Sequence, residues 1–327
     1  MEIGKIPGEI LENLILNKIN YKRDDVLVHA GMGEDTAVVD LGGELLVISS
    51  DPITGASKNA GYLAVHVACN DIVTTGAEPV GIQLVLFLPE GIEEQEIENL
   101  MAEINETAAS INVEVLGGHT EILSAVNKVI ISVTAVGKVA KDLYLPSSNA
   151  QAGDDLVLTK GLGIEGTFIL ANDYENLLLE KGVSKETIFA AKKYKNKISI
   201  LEEGLLAAKM GAHAMHDVTE GGLYGALDEL SMASGLGFEL NIENLPISKE
   251  SKEITEALLI DPAGLISSGS MLIAIPDSKE LLNELEKLGI KAAKIGVIIE
   301  KGKYFLSKDK KEKFRWSKKD ELWRLME

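Results

Sequence analysis

The chain has 327 residues, 46% apolar and 25% charged, a soluble globular composition with length enough for two separate cores. Its 32 basic and 51 acidic side chains leave a net charge of −19, which repels phosphate backbones and anionic lipids and argues against nucleic-acid or membrane-surface binding. Cys69 is the single cysteine, which excludes an intramolecular disulfide framework, a zinc ribbon and a cysteine-ligated iron–sulfur cluster.

Met1–Lys5 shows no basic segment leading into an apolar one. The longest apolar run, Ile82–Pro89, is far short of the roughly 20 residues of a membrane span, so a cytoplasmic location is expected. Thr36–Asp40 and Leu45–Ser50 read as strands around a Gly42-Gly43 turn, a hairpin signal. Asn59–Gly76 reads as a helix, with Cys69 on it as a core thiol. A strand (Val80–Phe87), a helix (Glu93–Ser110, acidic in its first turns) and a strand (Val113–Gly117) follow, then the β-branched run Lys128–Lys138.

Turn formers cluster at Pro146–Gly153, which predicts a boundary between domains 1–149 and 150–327. Beyond it a strand at Asp155–Thr159 precedes helices near Ile164–Ala171, Lys185–Lys193 and Ile198–Met210, then a helix at Gly221–Ser234 and a strand at Gly237–Ile242. Strands near Met271–Ile275, Ala293–Ile299 and Tyr304–Leu306 and a helix at Lys279–Leu288 complete an α/β or α+β pattern in both halves. The basic stretch Lys301–Arg324, with Phe314, Trp316 and Trp323 among its charges, reads as a solvated terminal hairpin and helix on the body, or as a partner-binding tail.

Short acidic or amide-bearing clusters interrupt the apolar pattern at Glu34-Asp35, Ser49-Ser50-Asp51, Asn70-Asp71 and His216-Asp217. One at a time they read as caps and turns. Together they offer the hard oxygen ligands that Mg²⁺ takes at nucleotide sites, in a site spanning the two halves. Gly117-Gly118 after a strand and Gly221-Gly222 at a helix start would let backbone N–H groups approach phosphate oxygens, or are simply tight turns. His119 beside the first pair is a phosphate donor, a proton carrier or polar filling. Gly161-Leu162-Gly163-Ile164-Glu165-Gly166 is a literal G-x-G-x-x-G, yet the helix–helix pattern beyond it argues against a dinucleotide site, leaving Lys160 able to reach a phosphate. His213 and His216 have no cysteine or third histidine nearby, which argues against zinc.

In order, Gly4-Lys5-Ile6-Pro7, Gly33 to Ala37, Ser50 to Gly55, Asn70 to Pro79, Gly117 to Glu121, Asp217 to Leu223 and Asp261 to Gly269 resemble the ATP-dependent superfamily of AIR synthase (PurM), selenophosphate synthetase, thiamine-monophosphate kinase and HypE. The HypE-like AIR synthase-related branch is the nearest in flavour, and the resemblance covers essentially the whole chain. It implies an amino-terminal sheet that forms a barrel with a second copy in a homodimer, a larger α+β carboxy-terminal domain, and ATP in the cleft between domains. It further implies Asp35, Asp51, Asp71 and Asp217 as Mg²⁺ ligands. Gly117, Gly118, Gly221 and Gly222 would line the nucleotide, with Asn70, Thr120 and Thr219 as polar contacts and His119 as acid or donor to the transferred phosphoryl. The implied chemistry is activation of a carbonyl or amide oxygen by phosphoryl transfer. HypE carries the carbamoyl group on a carboxy-terminal cysteine, whereas this chain ends Trp323 to Glu327 without one, and it has Gly117-Gly118-His119-Thr120 where the thiamine-phosphate kinases read Gly-Gly-Asp-Thr. Two alternatives therefore stand beside the synthase reading: a small-molecule kinase, and a nucleotide-binding maturation partner without turnover of its own.

Overall fold

The computed structural model describes residues 8–32, 34–53, 59–308 and 310–325. The expected motif residues Gly4–Pro7, Gly33, Thr54 and Gly55 lie outside them. Among the described residues the strands form two mixed sheets. The first contains β1 (Val26–Val28), β2 (Ala37–Asp40), β3 (Leu45–Ile53), β4 (Glu78–Leu88), β5 (Glu114–Ile122) and β6 (Ile130–Val139), in the order β1-β2-β3-β6-β4-β5. All its neighbours are antiparallel except β4 and β5. Helices α1 (Gly8–Leu14), α2 (Ala60–Thr74) and α3 (Glu94–Ser110) accompany it.

The second sheet contains β7 (Asp155–Thr159), β8 (Ala214–Asp217), β9 (Gly237–Asn241), β10 (Met271–Ile275), β11 (Ala292–Ile299), β12 (Lys303–Ser307) and β13 (Lys310–Lys313), ordered β13-β12-β9-β11-β7-β10-β8. Around it run α4 (Ile164–Asp173), α5 (Glu175–Glu180), α6 (Lys185–Lys192), α7 (Leu201–Lys209), α8 (Gly222–Ser234), α9 (Lys249–Leu258), α10 (Ser278–Lys287) and α11 (Glu321–Leu325). β7 is antiparallel to both its neighbours, so the glycine motif that follows it is not part of a parallel dinucleotide-binding sheet. Its helix start is instead filled by the chain itself, with Ile164 N donating to Ser267 Oγ at 2.9 Å.

α2 joins the two halves. Ala64, Val65, Ala68, Cys69 and Ile72 pack on Val47 and Val133 of the first sheet. Leu63 packs with Phe168 and Ile198, and Val73 with Met215 and Met271, all from the second half. A helix covered on both sides must be apolar or small all round, which explains its many alanines and buried glycine. Burial pushes the Cys69 thiol up to about 12, as befits a core cysteine.

The expected Gly117-Gly118 turn is not a turn. Both glycines lie inside β5, the exposed edge strand. Gly118 has φ +150°, and a Cβ there would stand 1.7 Å from the Leu84 carbonyl oxygen, so β4 and β5 pair only because this position has no side chain. Gly117, at φ +137°, faces open space. Gly118→Ala is thus expected to lower stability by at least about 2 kcal/mol, and Gly117→Ala by roughly half that, read as shifts in the urea midpoint.

Candidate functional site

The period of β3 places Leu45, Val47, Ser49 and Asp51 on the face toward α2, so an apolar stripe turns polar at its far end. Asp71 of α2 meets it there. Ser49 Oγ donates to Asp71 Oδ2 at 2.6 Å and also lies 2.9 Å from the Asp35 carbonyl oxygen, tying the loop before β2 to this corner. Asp71 is 4% exposed. Burial raises its carboxyl well above the usual range, and the neighbouring Asp217, Asp51 and Asp35 raise it further.

The second half supplies the opposite wall. β8 ends in His216 and Asp217, each 1% exposed. Burial pushes the Asp217 carboxyl up to about 7, with Asp35 and Asp51 adding to the rise and His216 opposing it. Burial by itself would lower the His216 imidazole, but the carboxylates of Asp35, Glu229 and Asp217 outweigh it and raise it to about 9. Glu34 is also raised, by burial and then by Asp35.

Asp35, His216 and Asp217 bring donor atoms within 4.8 Å of one another. Asp217 Oδ2 and His216 Nε2 are buried without a hydrogen-bond partner. Such convergence of acids is unfavourable unless protons or a cation neutralise it, and the donor set fits a divalent cation.

Residues 33–139 match the family described as AIR synthase related protein, N-terminal domain, and residues 151–309 match its C-terminal domain. The chain belongs to the AIR synthase-related family. It is 29% identical over 306 residues to a putative hydrogenase expression/formation protein of Methanocaldococcus jannaschii, covering 90% of this chain and 88% of that one. It is 27% identical over 284 residues to the carbamoyl dehydratase HypE of Escherichia coli K12, covering 82% of each. Among solved structures, a chain of a HypE–HypF complex superposes with TM-score 0.77 at 18% identity, covering 94% of this chain and 99% of that one. AaThiL complexed with AMPPCP and TMP gives 0.74 at 22%, covering 96% and 100%. The mixed α/β, PurM-like two-domain fold is the shared architecture.

Other expected site residues of this AIR synthase-related chain lie apart from the acids or are already engaged. His119 is paired across the first sheet with Val85, Ser132 and Pro52 in turn, which puts it three strand spacings, about 14 Å, from the Asp51 end of β3. It is exposed, 3.6 Å from Glu121, and Thr120 is exposed on the same edge. Within one chain, β5 therefore does not reach the acid cluster. Asn70 donates to the Ile198 carbonyl oxygen at 2.9 Å and accepts from Ile200 N at 3.1 Å, so its amide pins the segment leading into α7. Lys160 is held by Glu203 at 2.6 Å and by the carbonyl oxygens of Lys197 and Ser199.

The glycines at the start of α8 are covered by the tail. Gly221 N donates to Asp320 Oδ2 at 2.6 Å, and Trp316 packs where a Gly221 side chain would stand. Trp323 Nε1 donates to Glu220 Oε1 at 3.0 Å, and Leu322 is buried in the core beside α4. Burial pushes Asp320 up to about 7 against the backbone hydrogen bonds from Leu322 and Gly221. The expected anion seat on Gly221 thus holds a carboxylate of the chain itself. Gly222 N donates to the Thr219 carbonyl oxygen at 2.9 Å, closing the turn that follows Asp217.

The sequence reading grouped Ser49 with Asp51 and His216 with Asp217 but gave neither Ser49 nor His216 a role at the site, and it did not name Glu229. An ionisable residue inside a buried strand next to a candidate ligand was the available signal for His216.

Proposed function

We propose that this AIR synthase-related chain is a cytoplasmic Mg²⁺–ATP-dependent enzyme that activates a carbonyl or amide oxygen by phosphoryl transfer, as a HypE-like member of its family. The observation carrying this reading is the convergence of Asp35, Asp51, Asp71 and Asp217 from both halves, with Asp217 Oδ2 buried and unpartnered. These four carboxylates would hold the cation, which supplies charge neutralisation for a transferring phosphoryl group. The chain's own part is preorganisation. Ser49 orients Asp71, Asn70 locks the 198–200 segment against α2, and Asp320 with Trp323 holds the turn that follows Asp217.

Within these residues a carbamoyl-bearing thiol could only be Cys69, which is 3% exposed. We therefore assign the acceptor to a small molecule or to a maturation-protein partner, a role the likeness to HypE and its HypF complex supports. The homodimer is part of the same reading. The face of the first sheet away from α2 carries half-exposed Val85, Phe87, Ile130 and Val136 beside the exposed edge residues Leu116 and Ile122, an apolar surface suited to a second copy.

Calorimetric titration with a non-hydrolysable ATP analogue tests the site. Binding is expected with Mg²⁺ and not without it, and is lost in Asp51→Asn/Asp217→Asn. Equal binding with and without Mg²⁺, or binding untouched by the double substitution, would sink the assignment.

A further inference from the structure

The acid cluster contains a nitrogen that an all-oxygen Mg²⁺ site does not need. His216 Nδ1 donates to the Asp217 carbonyl oxygen at 2.7 Å, so that nitrogen carries a hydrogen. The ring is thereby fixed with Nε2 toward Asp35 and Glu229, 3.4 Å from Asp35 Oδ2 and 3.6 Å from Glu229 Oε2, while Asp217 Oδ1 lies 3.7 Å from Nδ1. Neither Nε2 contact is a hydrogen bond, and Nε2 is fully enclosed. A ring N–H donating to a backbone carbonyl while the other nitrogen faces acids is the usual arrangement around metal-binding histidine.

Either a proton or a cation can stand between an imidazole nitrogen and two carboxylates. A protonated Nε2 would draw an acceptor in to about 2.7–2.9 Å, the length of a charge-assisted hydrogen bond. Both separations are longer than that. Two donor atoms each about 2.1 Å from one ion stand roughly 3.0 Å apart at a right angle and roughly 3.4 Å apart at the tetrahedral angle, a range that includes the 3.4 Å between Nε2 and Asp35 Oδ2. Asp35, Asp217 and Glu229 all lie within 4 Å of the His216 ring, more carboxylates than one shared proton can serve.

We propose that His216 Nε2, together with Asp35 and Asp217, is a ligand of a divalent transition-metal cation of the Mn²⁺ class, beside the all-oxygen corner formed by Asp51 and Asp71. Mg²⁺ keeps to oxygen donors and water, whereas Mn²⁺ shares that taste for carboxylates but, as a first-row transition ion, also accepts a nitrogen donor, so the imidazole makes this position favour Mn²⁺ over Mg²⁺. The inference deepens the proposed function by naming the chemistry of one cation at the same cluster. It can be read without nucleotide.

The full-length protein, stripped with chelator, is titrated with Mn²⁺ in the absence of nucleotide and followed by electron paramagnetic resonance, with pulsed measurements for ¹⁴N coupling. Bound Mn²⁺ is expected to show imidazole nitrogen coupling. His216→Gln removes the coupling and weakens Mn²⁺ binding about tenfold or more, while Mg²⁺ binding changes far less. Asp35→Asn, a substitution in a partly exposed loop that leaves the core intact, weakens Mn²⁺ but keeps the coupling. Mn²⁺ bound without nitrogen coupling, or bound equally well by His216→Gln, would make His216 a structural imidazolium and overturn the proposal while leaving the oxygen-only site standing. No binding at about 1 mM Mn²⁺, weaker than roughly 4 kcal/mol, overturns it as well. The nucleotide reading fails separately, through the calorimetric titration with Mg²⁺ and the ATP analogue.

Discussion

Asp71→Asn is expected to stabilise the cation-free protein while abolishing metal-dependent nucleotide binding. Asp71 is buried against Asp217, Asp51 and Asp35, and its carboxyl lies well above the usual range. At neutral pH it either stays ionised among like charges or keeps a proton it would release in water, and both cost folding energy. Asparagine has neither cost and still offers Ser49 an acceptor oxygen. The gain is about 1–2 kcal/mol, a few degrees in Tm for a chain of this size. The same change removes a cation ligand, for which a loss of about 100-fold or more in metal-dependent affinity is expected. Thermal melts in chelator and calorimetry with Mg²⁺ read the two effects separately. A destabilised Asp71→Asn would mean that the carboxylate is a structural anchor rather than a ligand held under strain.

The same electrostatics set the pH dependence. Asp217 is raised from 3.8 to about 7, so its contribution to folding is fully present below about pH 3.8 and is lost as pH rises through 7. His216 is raised from 6.5 to about 9, and its contribution is lost as pH rises from 6.5 through 9. Without cations, stability therefore declines across both windows. A bound divalent cation needs the ionised carboxylates, so its stabilising effect grows with pH over the lower window and offsets the decline.

How much of this was legible in the sequence depended on how local the signal was. The Gly42-Gly43 hairpin, α2, α3, β4 and β6 follow from periodicity and β-branched runs, and their observed ends fall within three residues of the expected ones. β8 escaped notice because Ala214–Asp217 has four residues and no β-branched side chain. It is a strand through its pairing with β10. β3 runs past the expected turn at Asp51 because β6 pairs with it as far as Ile53, and this extension carries Asp51 to the cluster. At the site, the acids were visible because polar residues interrupted apolar runs. That acids of both halves share one site was expected from the resemblance, whereas the place of His216 among them was not, since Asp35, Asp71 and His216 are brought together by the packing of α2 between two sheets. The glycine pairs also have structural reasons of their own: glycine marks a close backbone approach, and Gly118 meets the Leu84 backbone while Gly221 meets Trp316 and Asp320.

Lys160 poses the same question with a larger stability effect. Its position before a glycine-rich helix start suggests a phosphate ligand, yet its ammonium lies 2.6 Å from Glu203, with the two side chains 14% and 2% exposed. Burial raises the Glu203 carboxyl, and Lys160 is the main group holding it down. Lys160→Met would leave that carboxylate buried and uncompensated, at a cost of about 3–5 kcal/mol. Lys160→Met/Glu203→Gln removes both charges, keeps a hydrogen-bonding group for Thr159, and is expected to recover most of the loss; a double-mutant cycle in urea measures the coupling. ATP-analogue affinity, measured well below the midpoint of each variant, is expected to stay within about twofold of the parent, because a side chain already engaged by Glu203 and two backbone carbonyls has little left to offer a phosphate. A drop of tenfold or more in the double variant, about 1.4 kcal/mol, would show instead that Lys160 leaves Glu203 when nucleotide arrives, and would make the ion pair a resting position for a phosphate ligand.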